Sequence, residues 1–194
     1  MRLFHFSDES GIESFLPRPV RIPVERRSGQ DWLNGPLVWA IDEWHSPLYL
    51  FPRVCPRILI WKTEHTTAED HAWWFAGSSA RMIAYIERDW LDSLQSHTLF
   101  RYELSPSQFE DIGDVGMWVT RHPAQPVRVD SLADLPGELL GRGVELRVRD
   151  SLLPLKNLWQ TSLHASGIRL RNAKNWGNPG WPHSRDGRDV STGN

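Results

Sequence analysis

Eight short strand-like segments are spread along the whole chain, each bounded by Pro, Gly or Asp, and this spacing restricts the folds open to it more than any other feature. Strands are predicted at Leu3 to Ser7, Leu37 to Ile41, Arg57 to Thr63 and Arg81 to Glu87. Four more follow at Thr98 to Leu104, Met117 to His122, Gln125 to Val129 and Val144 to Val148. The helical signals between them are brief. Thr67 is an N-cap with Glu69 and Asp70 in the first turn and Gly77 as the stop, and Ser46-Pro47 opens a short helix through Leu48 to Phe51. Arg88 to Gln95, Ser131 to Leu140 and Ser151 to His164 supply the others. Helices this short cannot serve as regular crossovers between parallel strands, so the expected class is α+β, with a mixed or mostly antiparallel sheet and peripheral helices.

The length of 194 residues fits one domain, expected over residues 1–173, and 40% hydrophobic against 24% charged residues is enough for a core. From Lys174 to Asn194 the chain is polar, rich in Gly and Pro, and reads as a mobile tail in which only Trp176, Trp181 and Val190 could be buried. The net charge of -2, with signs mixed along the chain, argues against generic nucleic-acid binding. A lone cysteine, Cys55, fits a reducing compartment and reads as inert in its apolar setting. The first ten residues lack the apolar stretch of a signal peptide, and no segment reaches the roughly 20 apolar residues of a membrane span, so the expected location is the cytoplasm, with no membrane partner. Most of the eleven tryptophans are expected to fill the core.

Three clusters could carry chemistry. In Phe4-His5-Phe6-Ser7, alternation places His5 and Ser7 on one face of a strand, where imidazole and hydroxyl could bond a ribose or simply face solvent and cap the following turn. The run from Val38 to Tyr49 packs Trp39, Asp42, Glu43, Trp44, His45 and Tyr49 into a strand, a turn and a helix start. Its two acids and one histidine have no established metal-ligand spacing, and no metal is predicted. Finally, alternation in Gly167 to Asn172 predicts an exposed strand with Arg169 and Arg171 on one face, and Glu145 and Arg147 could pair across the sheet with it.

The segments LFHFSDESGIESFLPR, GPLVWAIDEWHSPLYLFPR and GIRLRNA resemble an uncharacterised bacterial family, a domain of unknown function, over nearly residues 1 to 173. The pattern is also remotely similar to ADP-ribosyltransferases of the poly(ADP-ribose) polymerase and rifampin-modifying type. That resemblance implies that His5 and Ser7 hold a ribose of NAD while Trp39 and Tyr49 flank its nicotinamide. It also implies a catalytic glutamate at the start of a late strand, but the matching segment begins Gly116-Met117; Glu110, Asp111 and Asp114 precede it closely, Glu103 and Glu145 lie on other strands, and the sequence does not choose among them. Three functions follow as expectations. The first is ADP-ribosyl transfer or NAD hydrolysis with NAD as co-substrate. The second is a non-catalytic module that binds a nucleotide-type small molecule or a peptide, and the third is an aromatic-rich protein-interaction domain.

Overall fold

β-branched and aromatic residues in short alternating runs favour strands over helices, and the predicted runs nucleate most of the strands found. In the computed structural model these are β1 (Leu3–Ser7), β2 (Val38–Asp42), β3 (Arg57–Trp61), β4 (Met82–Glu87), β5 (Leu99–Leu104), β6 (Glu110–Asp111), β7 (Met117–Thr120), β8 (Pro126–Leu132), β9 (Val144–Arg149) and β10 (His164–Ile168). Three short α-helices accompany them: α1 (Ala68–Trp74), α2 (Leu91–Ser96) and α3 (Leu135–Gly141). The structure describes residues 1–177 apart from Ile22, Val24 and Arg27. The fold is α+β, with one antiparallel and one mixed sheet.

The chain sorts into two compact units. Among the described residues, one comprises Met1–Arg53 and His97–Leu135, the other Val54–Ser96 and residues 136–177. The first unit holds a six-stranded antiparallel sheet in the order β6-β7-β2-β1-β5-β8. One face of this sheet packs Leu3, Val38, Ala40 and Leu104 with Phe109, Ala124 and Phe15, while Leu33, Leu37, Val119 and Trp39 form a separate cluster. The register explains the segregation: Leu3 opposes Asp42 and Val38 opposes Thr120, whereas Phe4 opposes Ile41 and Trp39 opposes Val119, so the two sets alternate across the sheet.

The second unit holds a four-stranded sheet, β10-β3-β4-β9, in which β4 and β9 are parallel. Every residue of β3 and β4 is buried, which is why RILIW and MIAYIE read as continuous runs and not as alternation. Ile58, Ile60, Ile83 and Tyr85 pack there against Leu152, Leu155, Leu158, Leu163 and Leu170. Thr67 caps α1 as its sequence suggests, accepting the Asp70 N–H at 3.2 Å. Cys55 is buried, and burial pushes its thiol up to about 12, so it stays protonated and unreactive.

Three elements depart from expectation. The helix predicted from Ser131 starts only at Leu135, because Ser131 and Leu132 extend β8 and pair with Phe100 and Leu99. The helix predicted from Ser151 is a 3₁₀ stretch over Leu153–Gln160, and His164 opens β10. The strand predicted through Arg169 and Arg171 is not formed. Arg169 adopts a left-handed backbone (φ 57°), and a 3₁₀ turn over Leu170–Asn172 follows. The alternation reported a real burial demand, since Ile168 and Leu170 are both buried, but a turn satisfies it by folding Leu170 back onto the core.

The start of the predicted tail is fastened to the second unit. The Lys174 N–H donates to Glu87 at 3.0 Å, Lys156 Nζ donates to the Trp176 carbonyl at 2.8 Å, and the Trp176 ring meets Trp159 edge-on at 5.9 Å. Trp181 and Val190 lie outside the described residues. Truncation after Ala173 is therefore expected to cost about 2–4 kcal/mol, from two lost charged hydrogen bonds and partial ring burial, and to lower the melting temperature by several degrees. Calorimetry of the shortened chain checks this; an unchanged transition would show that residues 174–177 add nothing.

Candidate functional site

β1 is the central strand on which the candidate site is built. It pairs with β5 along all five residues but with β2 only through Leu3–Asp42 and Phe4–Ile41. Beyond Phe4 the β2 side of the strand opens, and the His5 side chain occupies the gap, with Nδ1 2.8 Å from the Trp39 carbonyl oxygen. A carbonyl only accepts, so Nδ1 carries the proton and the neutral ring presents Nε2 as an acceptor. Burial lowers the His5 pKa and the nearby Arg53 charge adds to this, against the pull of the Trp39 carbonyl, so the neutral form is favoured.

The segment after β1 folds back over this face. The Phe15 ring lies 4.5 Å from the His5 ring and meets Tyr102 edge-on at 5.1 Å. Phe15 exchanges backbone hydrogen bonds with Ala124. Tyr102 Oη donates to the Glu9 carbonyl at 2.7 Å and accepts from the Ile12 N–H at 3.2 Å, pinning the intervening loop. Ser7 Oγ accepts the Glu9 N–H at 3.1 Å, so its hydroxyl caps this turn.

Trp39 and Tyr49 lie on the other face. Trp39 packs with Leu33, Leu37 and Val119, and Arg26 stands 5.8 Å above its ring. Its indole Nε1 is buried without a hydrogen-bond partner among the described residues. The Tyr49 ring is stacked on Phe6 at 6.3 Å and 14°, and its hydroxyl points to Met117 Sδ at 3.8 Å. Alternation puts Phe6 and Trp39 opposite His5 and Ser7. The structure thus joins His5 to the Trp39 backbone and Tyr49 to Phe6, but it does not gather the imidazole and the two rings around one ligand position.

The turn after β2 holds a second arrangement, in which Asp42 has the turn-capping role its sequence position suggests. Asp42 accepts the His45 backbone N–H at 2.7 Å and meets His45 Nδ1 at 2.9 Å through Oδ1 and 3.0 Å through Oδ2. Burial works against ionisation of Asp42, but the hydrogen bonds from the His45 ring and backbone outweigh it and hold the carboxyl below its usual range. Glu43 turns away to pair with Arg2 at 3.0 Å, as adjacent side chains do, so these acids and His45 form no chelate. Among the described residues no group of three or more His, Cys, Asp or Glu is placed to hold a metal ion. Gly116 packs directly on the pair. Its φ is +68°, and a Cβ there would lie 2.5 Å from Asp42 Oδ2, so the Asp42 carboxylate fills the space of a side chain at 116.

Four of the other acids are engaged elsewhere. Glu103 takes two hydrogen bonds from Arg2, Glu110 pairs with Arg121, and Asp111 accepts the Gly113 N–H. Glu145 and Arg147 pair with each other at 2.6 Å, not with the segment at Arg169.

The sequence pattern of a family of unknown function, DUF6886, matches residues 4–173, which takes in β1 from Phe4 on, the Asp42–His45 turn and the other strands of both sheets. The chain belongs to the DUF6886 family. No curated protein and no solved structure matches it. In this DUF6886 chain, no helix among the described residues is long and apolar enough to cross a membrane.

Proposed function

We propose that this DUF6886 protein binds a nucleotide-type small molecule at the sheet face where β1 and β2 separate, with His5 Nε2 accepting a hydrogen bond from a ligand hydroxyl. One observation carries the reading: an imidazole held neutral, its Nδ1–H committed to the Trp39 carbonyl, at the point where two central strands separate. A neutral, pre-oriented acceptor suits a ribose hydroxyl, and the likeness of His5-x-Ser7 to the ribose-binding strand of ADP-ribosyltransferases points to ADP-ribose or NAD. Ser7 supports the loop in this reading and does not touch the ligand. Trp39 acts through its carbonyl, and Tyr49 braces Phe6 on the far face.

The test is titration calorimetry with ADP-ribose and with NAD. Binding is expected in the millimolar range or tighter, and His5→Ala, which removes a hydrogen bond worth roughly 0.5–1.5 kcal/mol, is expected to weaken it by several-fold to about tenfold. Because the imidazole is neutral when folded, binding should persist below pH 6.5 and fail only where His5 finally protonates. If neither nucleotide binds at millimolar concentration, the proposal falls.

NAD turnover is the second reading, and it is favoured by the place of Asp42. The resemblance calls for a carboxylate at the start of the late strand, and Asp42 fills the space above Gly116 there. Release of nicotinamide that vanishes in Asp42→Asn, with ADP-ribose binding retained, would establish it.

A further inference from the structure

The outer strand of the antiparallel sheet, β8, is open along its length. It pairs with β5 only, and among the described residues no backbone group lies paired on its outer side. Such an edge templates another strand unless it is protected. Pro126 and the irregularity opposite Glu103/Leu104 blunt its start, leaving Val127 to Leu132 available. Within that stretch the two valines are poorly covered, Val127 at 65% exposure and Val129 at 46%.

The side-chain order of this edge matches itself. In an antiparallel pairing about a twofold axis at Val129, Val129 faces its own copy, Val127 faces Ser131, and Arg128 faces Asp130 twice over. Arg128 has a 63% exposed side chain reaching Asp130 Oδ1 at 2.7 Å, and Asp130 is held on its other oxygen by Arg101 at 2.8 Å. Burial alone would raise the Asp130 pKa, but the two guanidiniums overcome it and keep the carboxylate charged. Each carboxylate would then stand between the arginines of both strands. A foreign strand meets this charge order only by coincidence, whereas a second copy in this register meets it by symmetry.

From this we propose that β8 is a homodimer interface, in which two copies join their six-stranded sheets edge to edge through Val127 to Ser131. Five residues a side make a small contact, so the dimer is weak, with a dissociation constant on the order of 100 µM.

Sedimentation velocity from micromolar to millimolar protein reads the equilibrium, and amide hydrogen exchange at both ends of that range locates it. The expected result is concentration-dependent dimer with added protection confined to β8. Arg128→Asp sets carboxylates against each other at both symmetric positions and is expected to raise the dissociation constant at least tenfold. Because this variant also loses the internal Arg128–Asp130 pair, its fold is checked by circular dichroism, and Val127→Lys serves as a second variant that leaves that pair intact. The proposal is overturned by a monomer throughout the range, by a dimer indifferent to both substitutions, or by protection appearing on another element.

Discussion

Glu87→Ala is expected to lower the unfolding free energy by roughly 3–5 kcal/mol and the melting temperature by about 10 °C, because the side chain closes two parts of the second unit at once. Its carboxylate is buried at the end of β4 and accepts the backbone N–H of Leu152 at 3.2 Å and of Lys174 at 3.0 Å. Neither donor can move to water without opening the segment that carries it. Hydrogen bonds to a charged acceptor contribute roughly 1.5–3 kcal/mol each, and removing the acceptor also strands two donors. Glu87→Gln keeps one carbonyl oxygen and should lose about half as much. Urea denaturation of the two variants decides the matter, and equal losses for Ala and Gln would mean that the charge, not the geometry of acceptance, is what matters.

Gly116→Ala should cost roughly 2–4 kcal/mol, of which conformation accounts for about 1–2 and crowding for the rest. The left-handed backbone at Gly116 disfavours any side chain, and the added Cβ would press on Asp42 and His45. Gly113 provides the internal comparison. Its φ is +67°, but a Cβ there would meet nothing within 4 Å, so Gly113→Ala carries the conformational term alone. The difference between the two variants measures the crowding. A shifted His45 ring resonance in Gly116→Ala, absent in Gly113→Ala, is the accompanying spectroscopic sign. Identical stability losses would mean that the Asp42–His45 pair yields freely.

Local pattern made the strand inventory legible, and it failed where pairing over long distances decided the outcome. β3 and β4 were visible because each is a continuous apolar run, and β1 because it alternates. Nothing in His164 to Ile168 announces β10, whose reason to be extended is the buried edge of β3 that it covers. The same holds for Ser131 and Leu132, which good helix context could not keep from the β5 ladder. At the candidate site, the shared face of His5 and Ser7 follows from local alternation, but the face of Trp39 relative to His5 depends on the β1–β2 register. Composition and spacing carry no record of that register. The Asp42–His45 pair was within reach, since a turn-forming Asp three residues before a histidine commonly accepts its N–H. What concealed its role was Gly116, distant in sequence and small because Asp42 already fills the space.

The split of each unit into two stretches of chain sets an order of assembly during synthesis. The first unit has all its strands once Leu132 has emerged, while the second, whose β3 and β4 are made earlier, must wait for β9 and then for His164 to Ile168. At roughly 5–20 residues per second, an antiparallel pair of eleven buried residues stands without either flanking strand for several seconds. Until β9 and β10 arrive, its two outer edges offer unpaired backbone beside apolar side chains to any strand that meets them.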